Sequence, residues 1–246
     1  MSGDVLTGAQ LARYAADGYL VVPDLLTRDE VDAFVAYEAS CDPGFRERLD
    51  NHVRDERWRG VAAHPRVAGA ARQILAGADP MIVQTMYMEK RPAEPGKGTA
   101  MHQDSHYLPS EPNTLMACWL AMSDTDGENG GLCVVRGSHA GGLRATHKAA
   151  DAHEHQVWES EHLMRDRAGR EWMQKFYSFE IDALDRGAVA ELAVKAGGGV
   201  FFTGMTIHGS YANRSAGRVR RAFATHFVAR GTWVFRADVQ NVVPAR

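Results

Sequence analysis

The sequence predicts a mainly β protein with flanking helices, arranged as an antiparallel sandwich or jelly roll. From Met81 onward, short runs of β-branched and aromatic residues alternate with turns rich in Gly, Asn and Asp. Before Met81, apolar residues recur at the spacing of helix faces. Many short strands joined by Gly-rich turns are typical of antiparallel sandwiches and jelly rolls, whereas α/β folds alternate strands with helices.

The helical part should occupy most of residues 1–78. Thr27 is a predicted N-cap, and the pair His64-Pro65 should open a later helix. We expect these helices to pack against a sheet and to carry no chemistry. The charged stretch 42–59 is predicted to be a solvated face, and the alternative is that it borders a substrate entrance.

The strands of the sandwich are predicted from seven runs of residues, at 81–88, 100–107, 114–122, 132–136, 189–194, 199–203 and 221–228. The third and fourth runs are joined by a turn rich in Asp, Asn and Gly. We therefore expect these two strands to pair directly as a hairpin.

A long connection, residues 140–187, separates the fourth and fifth runs. A connection of this length inside a compact domain is usually functional, so we expect a partly helical lid over the mouth of the barrel. Its aromatic residues are candidate substrate contacts, namely Trp158, Trp172, Phe176 and Tyr177. The alternative is a surface insertion without a role in substrate binding.

Composition limits the classes of function. The 246 residues are 45% hydrophobic, which is enough for a sizeable core, and we expect one domain over 1–246. A net charge of −3 gives no reason to expect a nucleic-acid or membrane partner. The three cysteines contain no CxxC pair, which argues against a disulfide framework or a structural zinc site. The start lacks the pattern of a signal peptide, so we expect a cytoplasmic protein, while the oligomeric state stays open.

The chemistry should centre on His102 and Asp104. Residues two apart on a strand point to the same face, and His208 could supply a third ligand from another strand. Two imidazoles and one carboxylate on one side of a metal are the pattern of non-haem Fe(II) oxygenases. His106 is a rival ligand that continues the same face, so we expect it in the pocket as a candidate substrate residue. His226 is a rival ligand that we expect in the core or the pocket wall.

Four sequence blocks, in this order, resemble the phytanoyl-CoA dioxygenase family: His-Gln-Asp-Ser-His-Tyr-Leu-Pro at 102–109, Ala-Cys-Trp-Leu-Ala-Met at 117–122, Asn-Gly-Gly-Leu-Cys-Val-Val-Arg-Gly-Ser-His at 129–139, and the region 207–222. The resemblance covers roughly residues 14–227. It implies a double-stranded β-helix, which is a cupin-like jelly roll. It also implies a dioxygenase that uses Fe(II), 2-oxoglutarate and O2 and releases succinate and CO2.

The resemblance also assigns the metal ligands. His102, Asp104 and His208 would bind Fe(II) and leave open positions for 2-oxoglutarate and O2. Related halogenases replace the carboxylate with a small residue so that chloride can bind the iron. An Asp at position 104 therefore favours hydroxylation or another oxidative outcome.

The resemblance further implies a cosubstrate site around Arg220. This arginine precedes a basic residue and an alanine, as in the family, and would hold the distal carboxylate of 2-oxoglutarate in bidentate geometry. Arg218 is a lesser candidate. Ser210 could donate a hydrogen bond to the same carboxylate. The pocket around the cosubstrate should be walled or bordered by Trp119, Gln84 and Met86.

The family does not specify one substrate. The chain ends soon after the last long strand, and we therefore expect a small metabolite or natural product in place of an acyl-CoA. Hydroxylation of an unactivated C–H bond is the expected reaction, while desaturation, ring closure and epimerisation stay open. The alternatives are a non-redox, metal-binding cupin-type isomerase or binding module, and a catalytically inactive binding protein. A buried Arg220 would discriminate, because a non-redox module needs no such group.

Overall fold

The structure is a computed structural model, and it describes residues 4–94 and 97–245. The helices in these ranges are α1 (Gly8–Asp17), α2 (Arg28–Ser40), α3 (Pro43–Arg46), α4 (Glu56–Ala62) and α5 (Pro65–Ile74). The strands are β1 (Tyr19–Val22), β2 (Pro80–Lys90), β3 (Thr99–His102), β4 (Ser110–Glu111), β5 (Met116–Ala121), β6 (Cys133–Val135), β7 (Thr146–Lys148), β8 (Glu159–Arg165), β9 (Glu171–Tyr177), β10 (Phe179–Ile181), β11 (Val189–Glu191), β12 (Gly199–Thr203), β13 (His208–Ser210), β14 (Arg220–Ala229), β15 (Trp233–Val234) and β16 (Val243–Pro244).

Two sheets form the body of the protein. The larger has the strand order β1-β12-β5-β14-β2-β16, and the smaller has the order β11-β6-β13-β3. Their strand pairs are antiparallel. Neighbouring strands are mostly distant in sequence, as they are in a jelly roll. The predicted mainly β, cupin-like jelly roll with helices on its flank is confirmed.

Strand β5 shows how the layers are held together. Ala117 and Trp119 pack in one apolar cluster with Val134 of the smaller sheet. Cys118 and Leu120, which alternate with them, belong to a second cluster beneath the helices. Both faces of β5 are therefore buried, which explains why its sequence is an unbroken apolar run.

The helices cover the outer face of the larger sheet. Phe34 of α2 and Trp58 of α4 lie 5.5 and 5.6 Å from Phe223 of β14, measured between ring centroids. Thr27 caps α2 as predicted: its hydroxyl accepts from the amide of Glu30, and its own amide donates to the Glu30 carboxylate, which forms a capping box. Among the described residues, no helix is both long and apolar enough to cross a membrane.

The predicted hairpin between β5 and β6 is wrong. β5 pairs with β12 and β14, whereas β6 pairs with β11 and β13 in the other sheet. The Asp- and Asn-rich turn between them thus crosses from one sheet to the other. Turn composition indicates where a strand ends, but it does not indicate which strand pairs with it. Both edges of β5 pair with strands from the distal half of the chain.

The predicted strand over 100–107 is too long. β3 ends at His102, and Asp104–His106 form one turn of 3-10 helix. The amide of Tyr107 donates to the carbonyl of Asp104 at 2.9 Å, and the amide of Ser105 donates to the carbonyl of Gly204 at 3.0 Å. The second bond comes from a loop far away in sequence, so local residue pattern did not indicate the turn.

The partly helical lid predicted over 140–187 is also wrong in its secondary structure. Apart from single 3-10 turns at Ser138–Gly141 and Arg186–Ala188, the regular structure of this segment is β7 to β10. β8 and β9 pair over their full length as an antiparallel hairpin. Both strands alternate between exposed and more buried positions, which is the period of a strand with one covered face.

Candidate active site

Three side chains with metal-binding chemistry converge at the join between β3 and β13. His102 ends β3, His208 begins β13, and the two are register partners across the strands. Asp104 enters from the turn that follows β3. Its Oδ1 atom lies 3.3 Å from Nε2 of His102 and 3.4 Å from Nε2 of His208. One ligand atom from each of the three lies within 4.8 Å of the other two, so the group could hold a metal ion.

The hydrogen bonds of the two histidines orient their rings for metal binding. Nδ1 of His102 lies 2.8 Å from the carbonyl oxygen of Ala100, and Nδ1 of His208 lies 3.0 Å from that of Thr206. A carbonyl oxygen can only accept, so each Nδ1 carries the hydrogen. Each Nε2 therefore presents its lone pair beside Asp104, which is the arrangement that neutral imidazole ligands require.

Asp104 is buried but strongly favoured as a carboxylate. Burial by itself would raise the pKa of Asp104, but the neighbouring histidines His208 and His226 lower it well below its usual range. Nε2 of His226 lies 3.1 Å from Oδ2 of Asp104. Two neutral imidazoles and an anionic carboxylate on one side of a site form a donor set that suits Fe(II).

The triad opens into a cavity of about 850 Å³ between the two sheets and the segments beyond them. Five side chains expected around a cosubstrate line it: Gln84, Met86, Trp119, Ser210 and Arg220. All five lie on strands of the two sheets, so strand register fixes their positions. Lys90, Trp119, Ser210 and Arg220 are all buried, and we call the part of the cavity that they line the closed end.

Arg220 is a buried cation whose recorded hydrogen bonds go to neutral groups. It is 2% exposed, and its Nε and NH1 atoms donate to the carbonyls of Gly130 and Met88 at 3.0 and 3.3 Å. Its guanidinium carbon lies 6.0 Å from the centroid of the Trp119 ring. Burial lowers the pKa of Arg220 to about 10, so the group stays charged at neutral pH.

Lys90 is a second buried basic group at the same end, and sequence reasoning missed it. It is 3% exposed and is the register partner of Arg220 across β2 and β14. Its Nζ donates to Ser210 Oγ at 2.7 Å and to the Tyr211 carbonyl at 2.6 Å. Burial, followed by the positive charge of Arg220, lowers the pKa of Lys90 well below its usual range. Lys90 continues the series Gln84, Met86 and Met88 at every second residue, and this shared strand face was the signal in the sequence.

Arg218, the lesser candidate for the cosubstrate, lies outside this site. Its guanidinium is bound to Asp126 at 2.7 and 2.9 Å and to Glu128 at 2.5 Å, at the surface. It does not line the cavity, whereas Arg220 does. Arg218 is therefore a surface residue held in ion pairs, whereas Arg220 is buried in the cavity wall.

The other part of the cavity, which we call the open end, is lined by residues outside the two sheets. Trp158 forms part of its wall, 5.6 Å from Tyr107 between ring centroids. His162 of β8 and Arg236 near the carboxyl end also line it, and both contact Asp238. Arg46 lines it from the charged stretch 42–59, which therefore borders the cavity as the alternative prediction had it.

His106 and three of the four candidate aromatic residues do not line this cavity. Because the strand ends at His102, His106 turns away and Nε2 of its ring bonds the carbonyl of Arg144 at 3.0 Å. His106 and Trp172 line a separate cavity of about 320 Å³. Phe176 is 1% exposed in a small aromatic core, and Tyr177 packs on Phe179 at 4.5 Å. The expectation that His106 shares the triad's face is wrong.

The family model for phytanoyl-CoA dioxygenase (PhyH) matches residues 14–222. The chain belongs to the phytanoyl-CoA dioxygenase family. This match runs from the last turn of α1 to the start of β14 and includes the whole triad, and it confirms the family predicted from the four sequence blocks. The family contains Fe/2-oxoglutarate-dependent oxygenases, and this chain is therefore placed in that broad class.

Individual relatives agree with the family assignment. The chain is 28% identical to peroxisomal phytanoyl-CoA dioxygenase of Rattus norvegicus, over 92% of this chain and 70% of the relative. It is 27% identical to ectoine dioxygenase of Bordetella parapertussis, over 86% of this chain and 72% of the relative. A solved structure of the epimerase SnoN in complex with Fe3+, alpha ketoglutarate and nogalamycin RO has the same fold, with a TM-score of 0.65, 21% identity, and coverage of 93% of this chain and 85% of that one.

The predicted cofactors agree with these observations. Iron and 2-oxoglutarate, also called alpha ketoglutarate, are the groups that the SnoN structure contains. The triad of this chain could hold the metal, and the nitrogen and oxygen donors fit iron chemistry.

Proposed function

We propose that this protein is an Fe(II)- and 2-oxoglutarate-dependent dioxygenase that hydroxylates an unactivated C–H bond of a small metabolite or natural product. In the balanced reaction, the substrate, 2-oxoglutarate and O2 give the hydroxylated product, succinate and CO2. The observation that carries the proposal is the closed end of the cavity. There, Arg220 and Lys90 are buried side by side, and their recorded hydrogen bonds go to carbonyls and a hydroxyl. Buried cations with such partners favour an anionic ligand.

The chain's own residues would then divide the work. Nε2 of His102, Nε2 of His208 and Oδ1 of Asp104 would hold Fe(II), which supplies the activation of O2 for C–H oxidation. The distal carboxylate of 2-oxoglutarate would lie between Arg220 and Lys90. Charge-assisted hydrogen bonds at a buried site are strong and directional, so they would orient the keto acid end toward the triad.

The walls of the closed end would exclude water from the reacting atoms. Trp119 is 4% exposed and stacks near the guanidinium of Arg220. Gln84 and Met86 line the cavity from β2, and Ser210 accepts the hydrogen bond from Lys90. With Lys90 donating to it, the Ser210 hydroxyl hydrogen is available for a carboxylate oxygen, which supports the role expected for this residue.

Features of the open end support a small-molecule substrate. The cavity of about 850 Å³ is in the range of small-molecule sites. Trp158 and Tyr107 offer an apolar aromatic surface, while His162 and Arg236 offer polar contacts. The names of two relatives, ectoine dioxygenase and a nogalamycin-bound epimerase, refer to small molecules as well. Asp104 occupies the position of the carboxylate ligand, which favours hydroxylation over halogenation.

The test is succinate formation. Anaerobically purified protein is supplied with Fe(II), ascorbate and 2-oxoglutarate, then exposed to O2 with and without a panel of small metabolites and natural products. We expect O2-dependent succinate release that a substrate increases, and a product that gains one oxygen atom by mass. Absence of succinate with every compound, together with selective Zn(II) uptake during iron-replete expression, would favour the non-redox cupin-type isomerase or binding module.

A further inference from the structure

Asp104 has two carboxylate oxygens, and they have different neighbours. Oδ1 is the atom near Nε2 of His102 and Nε2 of His208, at 3.3 and 3.4 Å. Oδ2 lies 3.1 Å from Nε2 of His226, a residue of β14 that is 6% exposed and lines the cavity. One oxygen therefore faces the proposed metal ligands, and the other faces a fourth histidine.

The hydrogen on the His226 ring can be assigned from its contacts. An ionised carboxylate only accepts hydrogen bonds, so Nε2 of His226 must carry the hydrogen. Nδ1 of His226 is buried and has no hydrogen-bond partner among residues 4–94 and 97–245. A neutral imidazole has one donor and one acceptor nitrogen, and here the single donor points at Asp104.

The strand around His226 is built to aim this side chain. His226 is paired on one side with Gln84 of β2 and on the other with Ala117 of β5. The register between β14 and β2 shifts between His226 and Phe227, which is a β-bulge. A bulge re-aims side chains, and such irregularities concentrate next to active sites. The central position of β14 in the larger sheet leaves the ring little freedom to move.

We propose that His226 is a positioning residue for the metal site. Its Nε2–H holds Oδ2 of Asp104, so that Oδ1 is presented together with the imidazole lone pairs of the triad. Hydrogen-bonding partners of ligating carboxylates fix the orientation of the ligand and contribute to metal affinity. This inference rests on the proposed function, because it assumes that the triad binds a metal.

The experiment compares two amides at position 226. A glutamine places its amide nitrogen about where Nε2 of the histidine lies, whereas an asparagine reaches only about as far as Nδ1. The dissociation constant of Co(II), a redox-stable probe, is measured by anaerobic calorimetry on the metal-free protein without 2-oxoglutarate. We expect H226N to weaken Co(II) binding about 10- to 100-fold and H226Q to restore most of it.

A control variant separates hydrogen bonding from general damage to a buried histidine. His52 is 2% exposed, and its Nδ1 bonds Thr85 Oγ1 at 3.0 Å. H52N should leave Co(II) affinity unchanged. Equal affinities for wild type and H226N, or equal losses in H226N and H226Q, would overturn the inference. If the wild-type protein itself binds neither Co(II) nor Fe(II), the proposed function fails instead.

A second measurement decides the case if H226N does not fold. The wild-type metal-free protein, labelled with 15N in histidine, reports the hydrogen on each ring nitrogen by NMR. A His226 ring with the hydrogen on Nε2 and none on Nδ1 supports the proposed contact with Asp104. The reverse tautomer would remove the donor from that contact and overturn the proposal.

Discussion

The two ends of one cavity are built in different ways. At the closed end, Arg220 and Lys90 contact carbonyl groups and a hydroxyl, and both lie on central strands. At the open end, Arg46 is paired with Glu38 at 2.9 Å and Arg236 with Asp238 at 2.6 Å. The first arrangement leaves buried positive charge for a ligand, whereas the second neutralises its charge within the protein.

This difference bears on which end of the cavity binds the cosubstrate and which end selects the substrate. Strand register places the closed end, so a change there would disturb the sheet as well as the ligand. The open end is contributed by the 42–59 stretch, the β8–β9 hairpin and the carboxyl-terminal segment, which lie outside the two sheets. Loops and hairpins on a rigid scaffold can change without refolding it. We therefore expect cosubstrate binding to depend on the closed end and substrate choice to depend on the open end.

The largest loss of activity is expected from a substitution in the triad, which lines the same cavity as both ends. Asp104→Ala removes the anionic ligand that lies within reach of both imidazoles. Loss of a residue that hydrogen-bonds a metal ligand can lower metal affinity by about 100-fold, and loss of the ligand itself should lower Fe(II) affinity by more. Succinate release should stop. Anaerobic calorimetry and a succinate assay measure the two quantities. His153→Ala, at an exposed histidine, is the control, and retention of iron by Asp104→Ala would contradict the assignment of the ligand.

A pair of arginines tests the closed end directly. Arg220→Met should weaken 2-oxoglutarate binding about 10- to 100-fold, because charge-assisted hydrogen bonds to a buried carboxylate are lost. Arg218→Met should leave that affinity unchanged, since Arg218 is paired with Asp126 and Glu128 at the surface. Calorimetric titration of each metal-loaded variant measures the dissociation constants. The reverse order of effects would move the cosubstrate site to Arg218.

The triad and Arg220 could be predicted from sequence because their signals are local or ordered along the chain. His102 and Asp104 are two residues apart, and Arg220 precedes a basic residue and an alanine. Lys90 could not be recognised in the same way. A lysine at the end of a strand usually extends into solvent, and only the packing of β13 and β14 around it shows that it is buried.

The failed predictions have a common physical cause. His106 was expected beside the triad because residues at even spacing share one face of a strand, but a hydrogen bond from Ser105 to Gly204 turns the chain after His102. Likewise, the partners of β5 come from the distal half of the chain. Residue period predicts the existence of strands, whereas pairings and turns set by remote segments are not present in the local pattern.

Lys90 provides a test based on pH. Burial and Arg220 lower its pKa in the free protein, and a bound carboxylate should raise that pKa again. At a pH between these two pKa values, binding of 2-oxoglutarate should therefore take up a proton. Affinity should fall as the pH rises through the interval between the pKa of Lys90 in the free protein and its higher value in the complex. Calorimetry in buffers of different ionisation enthalpy counts the protons.

Two variants complete this test of Lys90. Lys90→Met should abolish the proton uptake and weaken binding. Lys195→Met, at an exposed lysine paired with Asp124, should preserve both the proton uptake and the affinity. Proton release on binding, or uptake that persists in Lys90→Met, would show that another group is coupled to the ligand.

The smallest expected effect compares one tryptophan from each end. Trp119 is 4% exposed between the sheets, so Trp119→Ala should lower the free energy of unfolding by about 3–5 kcal/mol and weaken 2-oxoglutarate binding. Trp158 is 41% exposed, and its backbone is held by hydrogen bonds to Ser178 that the substitution leaves in place. Trp158→Ala should therefore change the unfolding free energy by no more than about 0.5 kcal/mol.

Chemical denaturation and calorimetry of both variants measure these quantities. A Trp158→Ala protein that keeps wild-type 2-oxoglutarate affinity but loses the substrate-dependent increase in succinate release would support a division of labour between the ends. If Trp158→Ala weakens 2-oxoglutarate binding as much as Trp119→Ala does, the two ends are coupled. The aromatic surface of Trp158 and Tyr107 would then help to close the cosubstrate site, and substrate choice would have to depend on other residues.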